Sequence, residues 1–194
     1  MGRPDLTEVR TAEILDAFEA CVARYGLEGS SLELVAEEAG MKRSILRHYV
    51  GNRDELILAL AKRVVAKYRD HLQVLAKTAS EDRRLDDLLS FFFPDMPVET
   101  ASSLLVMESL IAAAPEYPEI RHLMSEYIDE LVTLTGKQLR TVYPRATRQQ
   151  CWSVAYGIVC ICFNHESLVP LNLDPKYLKA ARDTARRLAE SLNV

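Results

Sequence analysis

"EEAGMKRSILRHYVGNRDEL", residues 37–56, decides how the rest of the chain is read. Between Ala39 and Arg53 it holds four cations, one histidine and no carboxylate, in a chain of 194 residues whose formal net charge is −4. Lys42, Arg43, Arg47 and Arg53 place +4 in this window and leave −8 for everything else. An acidic total argues against indiscriminate coating of nucleic acid, because counterion release needs clustered cations rather than a favourable sum. What the cluster is for depends on the shape of the backbone that carries it.

Apolar residues recur at helical spacing along most of the chain and strand signals are nearly absent, so the fold class is all-α. Before the window, Ile14, Leu15, Ala17, Phe18, Cys21, Val22 and Tyr25 form one stripe, and Gly26 follows where a left-handed cap ends a helix. Ser30-Ser31-Leu32-Glu33 has the S-x-x-E form of a capping box, opening a short helix with Leu32, Val35, Ala36 and Ala39 inward until Gly40. A third brief helix fits Arg43 to Tyr49. Asn52 and Glu55 form a second capping pair at the start of a long helix marked by Ile57, Leu60, Val64, Tyr68, Leu72 and Leu75.

Two short helices joined at a glycine can be tested against the geometry of a helix-turn-helix. Ala36 is small where the helices must cross closely, Gly40 can take positive φ in the turn, and Leu46 would fill the angle between them. A cation-rich helix follows at once, which points to DNA binding.

The stretch "ILDAFEACVARYGLEGSSLELVAEEAGMKRSILRHYVGNRDELILAL", residues 14–60, resembles the reading head of the TetR family of transcriptional regulators. The resemblance rests on the aromatic-Gly end of the first helix, the Ser-Ser start of the second, "VAEEAGM", "LRHY" and the Gly-Asn-Arg-Asp-Glu-Leu entry into the fourth. It implies an N-terminal three-helix helix-turn-helix domain, residues 1–52, and a helical effector-binding and dimerisation domain, residues 53–194. It also implies a double-stranded DNA operator, a small-molecule effector and repression relieved by that effector. Carried over residue by residue, Arg43 and Ser44 fall where base edges are read. His48 and Tyr49 match an aromatic pair near the backbone, and Ser30, Ser31 and Arg53 fall on phosphates. Departures are Lys42 in place of a Ser or Thr cap, Arg47 in place of a phosphate-touching Tyr, Ile45 in place of a Thr, and Val50 in place of a core Phe. The operator of a relative therefore does not transfer. Gly2, Arg3 and Pro4 are either a minor-groove arm or an untethered terminus.

Beyond Lys77, prolines in "FFFPDMP", "AAAPEYP", "VYP" and "VPLNLDP" punctuate helices expected at about 81–93, 98–114, 116–142, 145–167 and 174–192. From Trp152 to Phe163 the chain is apolar nearly all round, which calls for a partner on a second side. In the last helix Leu178, Ala181, Ala185, Leu188 and Leu192 make a narrow seam, and the last two helices are the expected homodimer surface. An effector cavity needs an apolar lining with few polar groups. Phe92, Met107, Glu108, Met124, Tyr127, Trp152, Tyr156, Asn164 and His165 are the candidates, with Phe91, Phe93, Met96 and Phe163 as further apolar ones, each with core packing as the plainer role.

Other classes find little support. "EIRH", Glu119 to His122, is one Glu-x-x-His step where a di-iron bundle needs two. Cys160, Cys162 and His165 cannot readily converge on a metal, since helix positions two apart face different ways. No phosphate loop, H-E-x-x-H or G-x-S-x-G occurs, so neither catalysis nor a cofactor is expected. The longest strongly apolar run, Ile158 to Phe163, is far short of the roughly 20 residues that span a bilayer. Four cysteines suit reduced, packed thiols. The expectation is a cytoplasmic protein with no membrane partner. A constitutive DNA-binding protein or activator without an effector, or a helical enzyme or adaptor, are the other readings.

Overall fold

A computed structural model describes residues 6–78, 83–94 and 101–193, with side chains described outside 74–78 and Ala101. Gly2, Arg3, Pro4 and Met96, and the side chain of Leu75, lie outside the described residues. Among those described there are nine α-helices and no strand: α1 Leu6–Gly29, α2 Leu32–Glu38, α3 Arg43–Val50, α4 Arg53–Thr78, α5 Arg84–Phe92, α6 Ala101–Ala113, α7 Pro118–Val142, α8 Arg148–Ser167 and α9 Lys176–Glu190. A 3-10 turn, Val169–Leu171, follows α8. The all-α expectation holds, with proline-marked ends displaced by a few residues.

Two compact units form. The first comprises residues 1–67 and 98–124, the second 68–97 and 125–194, so α4 and α7 each contribute to both. The functional boundary expected at residue 52 is a different division from this one by packing.

In the first unit α1 packs on α2, α3 and α6, and α2 on α3. Every member of the expected α1 stripe is buried except Tyr25, which is 53% exposed. Gly26, with φ 71°, breaks α1 one turn before its end, a conformation in which a Cβ is costly. The capping box read from Ser30 and Glu33 is corrected: Ser31 is the cap and accepts from the Leu34 amide at 3.2 Å. Ser30 has turned inward to donate to the Gly26 carbonyl at 2.7 Å. The Asn52–Glu55 pair does form, Glu55 accepting from the Asn52 amide at 2.7 Å and Asn52 from the Glu55 amide at 2.9 Å.

In the second unit α9 packs along α8 and reaches α5. Leu188 lies over Gly157 so closely that a Cβ there would come 2.7 Å from Cδ2, so this member of the expected seam serves the chain's own α8–α9 contact. Thr147 and Gln150 form a reciprocal capping box at the start of α8. Contrary to the bilayer reading, Arg148–Leu171 is long and apolar enough by length and composition to cross a membrane. Small and weakly polar residues extend its apolar run. It also builds core, burying Cys151, Val154, Ala155, Ile158, Val159 and Cys162.

Candidate DNA-reading head and effector groove

Leu46 and Val50 are the two buried residues of α3 and fix which way the helix faces. Leu46 is fully buried, as expected for the angle-filling position, and Ala36 is 4% exposed at the crossing. Gly40 takes φ 63°, so the turn between α2 and α3 uses the left-handed conformation its sequence allows. With the inner face fixed, helical periodicity leaves Lys42, Arg43, Ser44, Ile45, Arg47 and His48 exposed. Tyr49 is half-buried, its ring edge-on to His48 with centroids 5.2 Å apart.

The outward face therefore offers three cations, a hydroxyl, an imidazole and one apolar group. Arginine can read guanine N7 and O6 with a two-pronged hydrogen bond, and an aliphatic side chain can touch a thymine methyl. Arg43 meets the carboxylate of Glu33 on α2 at 2.5 Å, both side chains more than half exposed. The pair is a weak tie, since exposed ion pairs contribute only ~0–1 kcal/mol.

Two of the expected phosphate contacts are placed otherwise. Ser30 is 1% exposed with its hydroxyl committed to Gly26, so it is withdrawn from the DNA-facing set. Arg53 is turned towards Leu27, Glu28 and Tyr117 of its own unit. Ser31 remains exposed, but its oxygen caps α2.

Lys42 occupies the N-cap of α3 with extended backbone and no side-chain cap. Serine at this position accepts from the orphan amides of the first turn, so Lys42→Ser should raise unfolding free energy by about 0.5–2 kcal/mol in denaturant titration. The same change should weaken binding to unrelated DNA and reduce its salt slope by about 1 if Lys42 meets a phosphate. A variant neither more stable nor weaker on DNA would remove both roles.

The nine residues expected to line an effector cavity do not gather in one place. Met107, Glu108 and Met124 belong to the first unit, the two methionines buried in its core and Glu108 half-buried. Tyr127 is buried in the second unit, 6.0 Å from the Tyr68 ring. Trp152, Tyr156 and Asn164 stand exposed on α8, because that helix turns 151, 155, 158 and 162 inward and steps of four from 152 outward. Phe92 and His165 do share a groove of about 570 Å³ in the second unit, also lined by Phe93, Glu166, Tyr177 and Leu178. Partial burial lowers the His165 pKa, favouring neutral imidazole. Beside it, the buried Cys162 thiol donates to the Phe92 carbonyl at 3.2 Å, and burial pushes its pKa up. Cys160 is exposed on the opposite side of the helix, so the two cysteines face apart.

No family model matches the chain. It is 35% identical over 69 residues to the HTH-type transcriptional regulator PksA of Bacillus subtilis, covering 36% of this chain and 34% of that protein. It is 33% identical over 70 residues to the HTH-type transcriptional repressor AcnR of Corynebacterium efficiens, again covering 36% and 34%. The matched part thus spans about a third of the length of these relatives. Among solved structures, a TetR transcription regulator from Haloarcula marismortui superposes with a TM-score of 0.80 at 17% identity, covering 95% of this chain and 98% of that one. A protein of Saccharomonospora viridis described as a transcriptional regulator, and crystallised in complex with choline, gives 0.79 at 18%, covering 94% and 96%. From α1 to α9 the chain has the fold of the TetR-family transcriptional regulators.

Proposed function

We propose that this chain is a homodimeric, ligand-responsive DNA-binding regulator in the cytoplasm, acting as a repressor that a small apolar or amphipathic effector releases from a near-palindromic operator. The observation that carries the proposal is the outward face of α3, where Lys42, Arg43 and Arg47 flank Ser44 and Ile45 on a helix whose inner face is locked by Leu46. The short matches to PksA and AcnR, regulators by name and the second a repressor, support it. Residues 1–52 serve as reading head and 53–194 as effector and dimerisation domain. Two heads of a dimer read successive major grooves about 34–36 Å apart.

The effector seat is the second unit's groove, whose volume falls in the ~300–1,000 Å³ range of small-molecule sites. Choline in the Saccharomonospora viridis protein supports a small-molecule response in this fold. An effector releases DNA only by binding the DNA-free conformation more tightly. The dimer surface is α8 with α9: Trp152 and Tyr156 stack on the exposed face of α8, 5.8 Å apart and 10° from parallel, at 41% and 49% exposure. Tyr156→Glu should shift the protein towards monomer in sedimentation, because a carboxylate in an apolar interface is desolvated without a partner. A fully dimeric variant would move the interface elsewhere.

The test of the regulator reading is recovery of DNA. Purified protein is incubated with fragmented chromosomal DNA of its source near physiological salt, and the bound fragments are sequenced. An enriched inverted repeat beside a promoter supports the reading; fragments no different from the input overturn it.

A further inference from the structure

Arg53 opens α4 with 29% of its side chain exposed. Its Nη2 donates to the Leu27 carbonyl at 2.8 Å and reaches the Glu28 carboxylate at 3.3 Å. Its Nη1 donates to the Tyr117 hydroxyl at 3.2 Å, and that hydroxyl donates in turn to Asp54 at 3.4 Å. Leu27 follows the Gly26 break in α1, and its carbonyl also accepts from the Ser30 amide at 3.3 Å. Tyr117 lies in the turn between α6 and α7, 64 positions from Arg53, so one guanidinium ties three segments of the first unit together.

A side chain that contacts a phosphate must aim its N–H groups away from the protein. Three of the five N–H groups of Arg53 aim at a backbone carbonyl, a phenol and a carboxylate of its own chain. The planar fork matters, since it serves divergent acceptors at fixed angles where an ammonium on a flexible stem does not. Burial raises the Tyr117 pKa, so the phenol stays protonated and can donate to Asp54.

We infer that Arg53 and Tyr117 form a brace that fixes the angle at which α3 is presented to DNA, which makes them positioning residues of operator recognition rather than phosphate contacts. The inference rests on the regulator reading and adds to it a determinant outside the helix-turn-helix. Loosening the brace leaves the α3 side chains in place and spoils their aim. Affinity for the operator should fall, and operators with different half-site spacings should become nearly equivalent.

Full-length Arg53→Met, Arg53→Lys, Tyr117→Phe and the Arg53→Met/Tyr117→Phe double variant are compared with wild type on the chromosomal fragments, and salt dependence is measured on the most enriched one. Each single variant should bind that fragment about tenfold more weakly, as loss of a hydrogen bond to a charged group implies. The salt slope should be unchanged, the recovered half-site spacings broader, and the double variant no weaker than either single. Failure of Arg53→Lys to restore spacing selectivity supports the brace. The inference is overturned if Arg53→Met alone lowers the slope by about 1 and lysine restores it, with Tyr117→Phe indistinguishable from wild type. Additive losses in the double variant overturn it as well. Wild type enriching no sequence overturns the regulator reading and this inference with it, a result distinct from the other two.

Discussion

Leu46→Ala is expected to cost about 2–5 kcal/mol of stability, the range for truncating a buried leucine whose surroundings relax only in part. Leu46 is fully buried and is one of only two buried residues of an eight-residue helix, so α3 has little else to hold it. Helix α3 also lacks a side-chain cap, which removes the usual local support. Denaturant titration followed by helical circular dichroism checks this, with the midpoint shifted and the slope preserved if the unfolded state is unchanged. A loss under about 1 kcal/mol would mean that α3 is held by something other than its inner face.

Arg43→Ala should do the reverse. Its partner Glu33 is 59% exposed, so removing the pair leaves folding stability within about 0.5 kcal/mol. If Arg43 makes a two-pronged contact with guanine, the operator loses ~1–3 kcal/mol, a factor of about 5 to 150, with preference relaxed at one position of each half-site. Competition between the enriched fragment and scrambled DNA measures both quantities at one salt concentration. Equal losses on the two DNAs would place Arg43 on a phosphate and transfer base reading to Ser44, Ile45 or Arg47.

These two residues also mark how far the sequence was legible. Helix periodicity, Gly26, Gly40 and the Asn52–Glu55 pair are local signals, and each fixed an element or a turn that the fold contains. The inner and outer faces of α3 followed from the same periodicity. Two adjacent serines can each cap a helix, and here Ser31 caps α2 while Ser30 donates to the Gly26 carbonyl one turn back. The partners of Arg53 had no local signal at all: Tyr117 is brought near by the packing of helices distant in sequence. The effector residues were the least legible. Aromatic residues and methionines at helical spacing look alike whether they build core, line a groove or stand outside, and Phe92, Met107 and Trp152 now represent one of each. Thr147 and Gln150, by contrast, carried a readable capping signal that the proline-based boundary at 145 passed over.

The stacked pair on α8 has an optical consequence. Trp152 is the chain's single tryptophan, so all indole emission comes from one exposed ring lying on one phenol. Its colour should report only whether water reaches that face of α8. If two copies pair through that face, a dilution series recorded in a fluorimeter would display their separation as a shift to longer wavelength, with no dye attached and no residue changed.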